Sequence, residues 1–206
     1  MNTLTRCALG AAVLAFMLAT STVWAQQGPP VRIRGQIQNV EGDMLTIKAR
    51  DGSEVKVKLA DNARVIAQVK ATLADVKTGA YVGVTGMPQP DGSQRAIAIH
   101  IFLEAQRNVV PDRFGPWDLR EGSTMTNATV ETTVTSTDGQ VIMVKYKDGE
   151  KKVIVPPETP IVANTPGEKS EIKPGAQIII MGAQKQPDGS LTTTGIYVGR
   201  GVTPPM

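Results

Sequence analysis

Few residues in this sequence are of the types that carry out chemistry. The chain contains one histidine, His100, and one cysteine, Cys7. Imidazole is the side chain that titrates near neutral pH, and thiolate is the usual soft ligand and nucleophile, so most acid–base, thiol and zinc sites are excluded. His100 follows an alternating run whose isoleucines share one face. This pattern predicts a surface or supporting position for His100 and no catalytic role.

The acidic residues give no stronger indication of a catalytic or metal site. Asp51, Asp91, Asp148 and Asp188 each precede a glycine, the usual composition of a tight turn. The sequence holds no calcium-loop, phosphate-loop or dinucleotide fingerprint, and its methionines do not cluster as they do at cuprous sites. The sequence therefore predicts a protein that is not an enzyme and that has no metal site and no cofactor.

Cationic side chains are the polar feature shared by both halves of the chain. Alternation places four of them on one side of a first hairpin and three on a second hairpin. They are Lys48, Arg50, Lys56 and Lys58 in the first, and Lys145, Lys147 and Lys152 in the second. They predict a weak site for an anionic ligand, and the alternative is a solvated face that discourages aggregation. With 22 basic against 19 acidic residues, the charge is too balanced for nucleic-acid binding by charge alone.

The elements that position these residues are strands. Leu45, Ile47, Val55 and Val57 alternate with polar residues on either side of an Asp-Gly turn, which is typical of a half-buried hairpin. Later runs repeat the same period of two. The segment 71–76 has the capping pattern of one short helical turn.

Two parts of the chain repeat one another. The Asp51-Gly52 turn recurs as Asp148-Gly149, and the block Gln89–Ser93 recurs whole as Gln186–Ser190. A shared block with aligned turns on both sides indicates a duplication, and its period is too long for a solenoid unit.

The repeat predicts an all-β chain of two tandem OB-like small β-barrels. We expect the barrels over residues 26–103 and 124–206, joined by a linker over residues 104–123, each with five to six strands and one short helical turn. A β-sandwich is the competing architecture. The linker contains Trp117, which either fills the groove between the barrels or offers a platform for a ligand.

The first residues predict a signal peptide. Arg6 precedes the apolar run Ala8–Ala19, and Val23 and Ala25 have the spacing that signal peptidase requires. The run is shorter than the about 20 residues that span a bilayer. We expect cleavage after Ala25, removing residues 1–25, a periplasmic location and no membrane span in the mature chain.

Several motifs together resemble a known family. They are the Lys-x-x-Asp-Gly hairpins at Lys48 and Lys145, the Gln-Pro-Asp-Gly-Ser turns, the linker run Pro116–Leu119 and the stretch Met125–Val130. In these features the chain resembles an uncharacterised secreted bacterial family with a duplicated small β-barrel domain, described only as a domain of unknown function. The resemblance covers nearly all of residues 31–203, implies a periplasmic barrel-like protein, and brings no catalytic residue with it.

The sequence therefore favours a non-catalytic periplasmic binding or interaction module. Its expected partner is an anionic envelope component or a periplasmic protein. The alternative is a structural or envelope-stress protein that binds another envelope protein along the edge of a barrel.

Overall fold

A computed structural model describes residues 29–136 and 139–205 of the chain, and the predicted signal peptide lies outside them. The described residues form strands and short 3-10 turns, which confirms the all-β class. The strands are β1 (Val31–Glu41), β2 (Met44–Ala49), β3 (Glu54–Ala71), β4 (Tyr81–Pro88), β5 (Gln94–Ile101), β6 (Arg113–Pro116), β7 (Thr124–Ser136), β8 (Gly139–Tyr146), β9 (Gly149–Val155), β10 (Ile161–Pro166), β11 (Gln177–Lys185) and β12 (Leu191–Gly199). The 3-10 turns are Leu73–Asp75, Glu104–Gln106 and Lys169–Glu171.

Three hairpin turns are held by the same local hydrogen bonds. In the first, the Asp51 carboxylate accepts bonds from the backbone N–H of Ser53 at 2.9 Å and from its hydroxyl at 2.6 Å. Gly52 between them has a φ of 86°, which a residue with a Cβ rarely adopts. The turns Asp91–Ser93 and Asp188–Ser190 are bonded in the same way. The serine bonds stabilise the charged form of each aspartate and lower its pKa.

The strands close into two rings of five. In the first ring, β1 pairs with β2, β2 with β3, β3 with β12, β12 with β11, and β11 with β1. In the second ring, β7 pairs with β8, β8 with β9, β9 with β5, β5 with β4, and β4 with β7. The pair β3–β12 in the first ring and the pair β9–β5 in the second ring are parallel, and the other pairs are antiparallel. The protein therefore contains two closed five-stranded barrels.

The barrels do not follow the predicted boundaries at 26–103 and 124–206, and the expectation of one barrel for each repeat is wrong. The second barrel uses the continuous segment 81–155. The first barrel combines β1–β3 with β11 and β12, so it is built from residues 31–71 and 177–199. The second barrel is thus nested within the sequence of the first.

Strand β3 is the physical reason for this arrangement. It has 18 residues and extends for up to about 60 Å at the usual rise of a strand. Its first part pairs with β2, while its last six residues, Ile66–Ala71, pair with β10 between the barrels. The chain therefore leaves β3 beside the second barrel, and the short connection to β4 keeps it there.

Strands β3 and β10 join the two barrels. Gln68 of β3 lies directly opposite Asn164 of β10, 96 positions later in the chain. On either side of this pair, the parallel pairing of β3 with β12 is matched by the parallel pairing of β10 with β5. The junction between the barrels therefore centres on Gln68 and Asn164.

Each barrel has its own apolar core, and a smaller cluster lies between them. Ile37, Ile47 and Val57 are fully buried in the first barrel, as are Ile142 and Val153 in the second. The predicted linker, residues 104–123, is not a plain connection, since it contains the Glu104–Gln106 turn and strand β6, which pairs with β7. It also brings Trp117 into the third cluster, described below.

Candidate functional site at the junction of the two barrels

Five polar side chains form a hydrogen-bonded network where the barrels meet. The side-chain nitrogen of Gln68 lies 3.1 Å from His100 Nδ1 and donates to Asn164 Oδ1 at 3.0 Å. Asn164 Nδ2 donates to Gln106 Oε1 at 2.9 Å, and Gln106 Nε2 donates to the Tyr197 hydroxyl oxygen at 3.3 Å. Buried hydrogen bonds are strong when every partner stays in place. The network therefore fixes the relative positions of β3, β5, β10, β12 and the linker.

His100 is fully buried, so the surface position that the sequence predicts as one of two options is wrong. Strand β10 runs alongside β5, and Gln68 contacts the ring from β3. Burial lowers the pKa of His100 to about 3, so the imidazole is neutral at neutral pH. The amide nitrogen of Gln68 can only donate, so a hydrogen bond to Nδ1 requires the tautomer with the ring proton on Nε2.

A groove with a volume of about 800 Å³ adjoins this network. Its floor includes Gln106 and Tyr197, the last two members of the network. Its walls are mainly apolar and come from β3, β11, β12, the end of β10 and the linker. The apolar wall residues include Val65, Ile66, Leu103, Val109, Val110, Pro166, Met181 and Ile196. Val109 is 65% exposed, so the groove presents apolar surface to solvent.

One end of the groove is polar. Arg64 and Asn62 of β3 line it there, together with Thr193 and Thr194 of β12. Arg64 lies opposite Gly195, where a Cβ would meet no atom nearer than 3.9 Å. The missing side chain at Gly195 therefore leaves space beside Arg64 on β3.

Tyr197 supplies a hydroxyl group within the groove. Burial raises the pKa of Tyr197, and the hydrogen bond from Gln106 opposes part of that rise. The phenol is therefore protonated at neutral pH. Because its oxygen accepts the bond from Gln106, its hydrogen can donate to a molecule in the groove.

Three of the predicted ligand-binding cations share the outer face of the first hairpin, and acidic residues lie beside two of them. Lys48 lies opposite Glu54 in the β2–β3 ladder, and Lys58 forms an ion pair with Asp43 at 3.3 Å. Lys56 is exposed between them. Alternating charges of this kind favour the solvated-face interpretation.

Arg50 does not belong to that face, contrary to the sequence prediction. Its backbone N–H donates to Arg34 O, and its guanidinium donates to Pro204 O at 2.9 Å. Burial, and secondarily the charge of Arg34, lower the pKa of Arg50. The side chain turns away because β2 ends at Ala49, so the strand alternation that predicts its direction no longer applies.

The second hairpin shows the same compensation. Lys145 forms an ion pair with Glu131 at 3.5 Å, and Lys152 lies 4.0 Å from Asp91. Lys147 falls in the turn after β8 and not on a strand face. The structure thus brings Lys145 and Lys152 to one face and leaves Lys147 at its end.

Trp117 fills space between the barrels. It is 8% exposed and packs with Met125 of β7 and Ile179 of β11. The Arg32 guanidinium lies 4.0 Å from the centre of its ring, and Arg32 also bonds to Asp118 at 3.1 Å. This placement agrees with the groove-filling interpretation of Trp117 and leaves little ring surface for a ligand platform.

Asp118 links the Trp117 segment to β1. Burial alone would raise the pKa of Asp118, but hydrogen bonds from Arg34 and Arg32 outweigh it and lower the pKa. The carboxylate is therefore charged, and its 2.7 Å contact with Arg34 fastens the linker to the first barrel.

Within residues 29–136 and 139–205, no group of three or more histidine, cysteine or acidic side chains could hold a metal ion. In the same part of the chain, no helix is long and apolar enough to cross a membrane. Comparisons with family models, curated proteins and solved structures find no match to this chain.

Sequence reasoning missed the groove because its parts are far apart in the chain. Arg64 and Tyr197 are neighbours only once β3 and β12 pair in parallel. One signal was present in the sequence: Gly195 interrupts the alternation of β12, and an isolated glycine within a strand often marks a bulge or an open approach. The register does shift between Thr193 and Gly195.

Proposed function

We propose that this chain is a non-catalytic binding module, exported to the periplasm, which holds a small and largely apolar ligand in the junction groove. The observation that carries the proposal is the groove itself. Its volume of about 800 Å³ falls within the range of about 300 to 1,000 Å³ of small-molecule sites, and its walls are mainly apolar with a few convergent polar groups.

The buried network supports the proposal because it holds the groove in shape without a ligand. Gln106 bonds to Asn164 of β10 and to Tyr197 of β12, so it ties the linker wall to the strands that form the floor. A site arranged in advance loses less conformational entropy on binding. A stable groove is also consistent with the fully buried positions of Gln68 and His100 behind it.

The variant Gly195→Leu tests the proposal by filling the groove. Gly195 has no positive φ, and the space around its Cβ position is open, so leucine is expected to be tolerated by the fold. We expect the wild-type protein to bind the neutral apolar fluorophore N-phenylnaphthylamine and Gly195→Leu to bind it at least about tenfold more weakly, a difference of about 1.4 kcal/mol.

The matched control is Gly115→Leu. Gly115 lies on β6, outside the groove, and its Cβ position is equally open. This variant should bind the fluorophore as the wild type does. Equal binding by all three proteins, or none by the wild type, would contradict the proposal.

The alternative, binding of another envelope protein along a barrel edge, has less support. Every strand of the two rings is paired on both sides for at least part of its length. Among the described strands, β6 alone pairs with a single neighbour, and it has only four residues. The cationic hairpin faces likewise offer little uncompensated charge for an anionic polymer.

A further inference from the structure

The chemistry of the groove narrows the class of ligand, on the basis of the function proposed above. We infer that the groove binds a single-chain amphiphile with a carboxylate headgroup, its headgroup at Arg64 and its apolar chain along β3 and β12.

Arg64 provides the charge. In the part of the chain that the structure describes, it is the only charged residue that lines the groove, and it is exposed. Among the described residues, no carboxylate lies within ion-pair distance of Arg64, and no hydrogen bond of its side chain is present. By contrast, Arg34 on β1 of the same barrel forms an ion pair with Asp118 of the linker. An exposed guanidinium among the residues that line an apolar groove is complementary to an anion carried on an apolar body.

The apolar chain has a defined course. Ala63 is buried in the first core, so alternation along β3 places Arg64 and Ile66 on the opposite face of the strand. Ile66 lies opposite Tyr197 in the β3–β12 ladder, two pairs beyond Arg64 and Gly195. A chain that leaves the headgroup therefore passes Ile66 and reaches the apolar residues Leu103 and Val110, which line the same groove.

The carboxylate is favoured over a phosphate as headgroup. One guanidinium offers two parallel N–H donors, which match the two oxygens of one carboxylate and balance its single charge. A phosphate monoester carries more charge near neutral pH than Arg64 can balance alone. The lining residues within 29–136 and 139–205 include no second cation.

The test is calorimetric titration of the full mature chain with decanoate, decanol and decyl phosphate, each below its micellar concentration. We expect decanoate to bind at least about tenfold more tightly than decanol. The Arg64→Gln variant should bind decanoate only as tightly as decanol, and its affinity for decanol should equal that of the wild type. The matched control Lys56→Gln, an exposed cation on the same strand outside the groove, should leave both affinities as in the wild type.

The outcomes separate the inference from the proposed function. If decanoate and decanol bind alike, or if Arg64→Gln leaves the decanoate affinity unchanged, the carboxylate inference is wrong while the apolar groove still binds. If decyl phosphate binds more tightly than decanoate, the headgroup is a phosphate and the inference is also wrong. If none of the three ligands binds and N-phenylnaphthylamine does not bind either, the proposed function itself fails.

Discussion

Lowering the pH from 7 to 5 is expected to destabilise the protein through His100. The imidazole is fully buried, and its pKa falls from an ordinary value of 6.5 to about 3 in the folded state. Between these two values the unfolded chain binds a proton that the native chain does not, so unfolding takes up a proton and acid favours it. The stabilising contribution of the neutral ring is thus present above pH 6.5 and is lost as the pH falls towards 3.

The magnitude follows from the size of the shift. Each pH unit below 6.5 costs about 1.4 kcal/mol until the folded pKa is reached. At pH 5 the loss is therefore ~2 kcal/mol, a substantial part of the 5 to 15 kcal/mol by which native proteins are typically stable. Urea denaturation at pH 7, 6 and 5 measures the free energy of unfolding at each value.

His100→Gln isolates this contribution, because glutamine cannot ionise and can still accept the bond from Gln68. Carboxylates with lowered pKa values, such as Asp75 and Asp91, also lose stability in acid, but they are the same in both proteins. We expect the wild type to lose ~2 kcal/mol more than the variant between pH 7 and pH 5. Parallel stability curves for the two proteins would refute the reasoning.

Two further predictions concern the architecture. A fragment of residues 76–163 contains all five strands of the second barrel and should give the dispersed amide spectrum and cooperative melting of a folded domain. A fragment of residues 26–110, which contains β1–β5, should give neither. The reverse result would contradict the nested arrangement. Trp117→Ala should lower the free energy of unfolding by about 3 kcal/mol in urea titrations, because the substitution leaves a cavity between Met125 and Ile179. A change below about 0.5 kcal/mol would mean that Trp117 does not fill the junction.

The sequence predicts the local structure of this protein well. Period-two alternation and Asp-Gly turns locate the hairpins, and the Thr72–Asp75 pattern corresponds to a 3-10 turn in which both the backbone N–H and the hydroxyl of Thr72 donate to Asp75. These signals depend on residues close together in the chain, and the turns that they predict are determined by local backbone geometry.

The partner of each strand could not be predicted in the same way. Alternation states which face of a strand is buried, but it does not state in which barrel the strand lies. The two halves of the chain have similar alternation patterns, so the sequences of β4 and β5 fit a place in either barrel. The length of β3 decides which barrel they join. The predicted direction of Arg50 and the predicted surface position of His100 are wrong for related reasons. A strand end overrides the alternation at Arg50, and the neighbouring strands of the junction override it at His100.

The nesting of one barrel within the other also sets an order of assembly. Every strand of the inner barrel is available once residue 155 has emerged from the ribosome, whereas the outer barrel must wait for residues 177–199. Until then β1–β3 lack the partners β11 and β12 that close their barrel, and unpaired strand edges of this kind can pair with another chain. Closing the outer barrel joins segments separated by more than a hundred residues, and such contacts form slowly. The inner barrel therefore matures first, and the stretch from β11 to β12 completes the molecule in its last step.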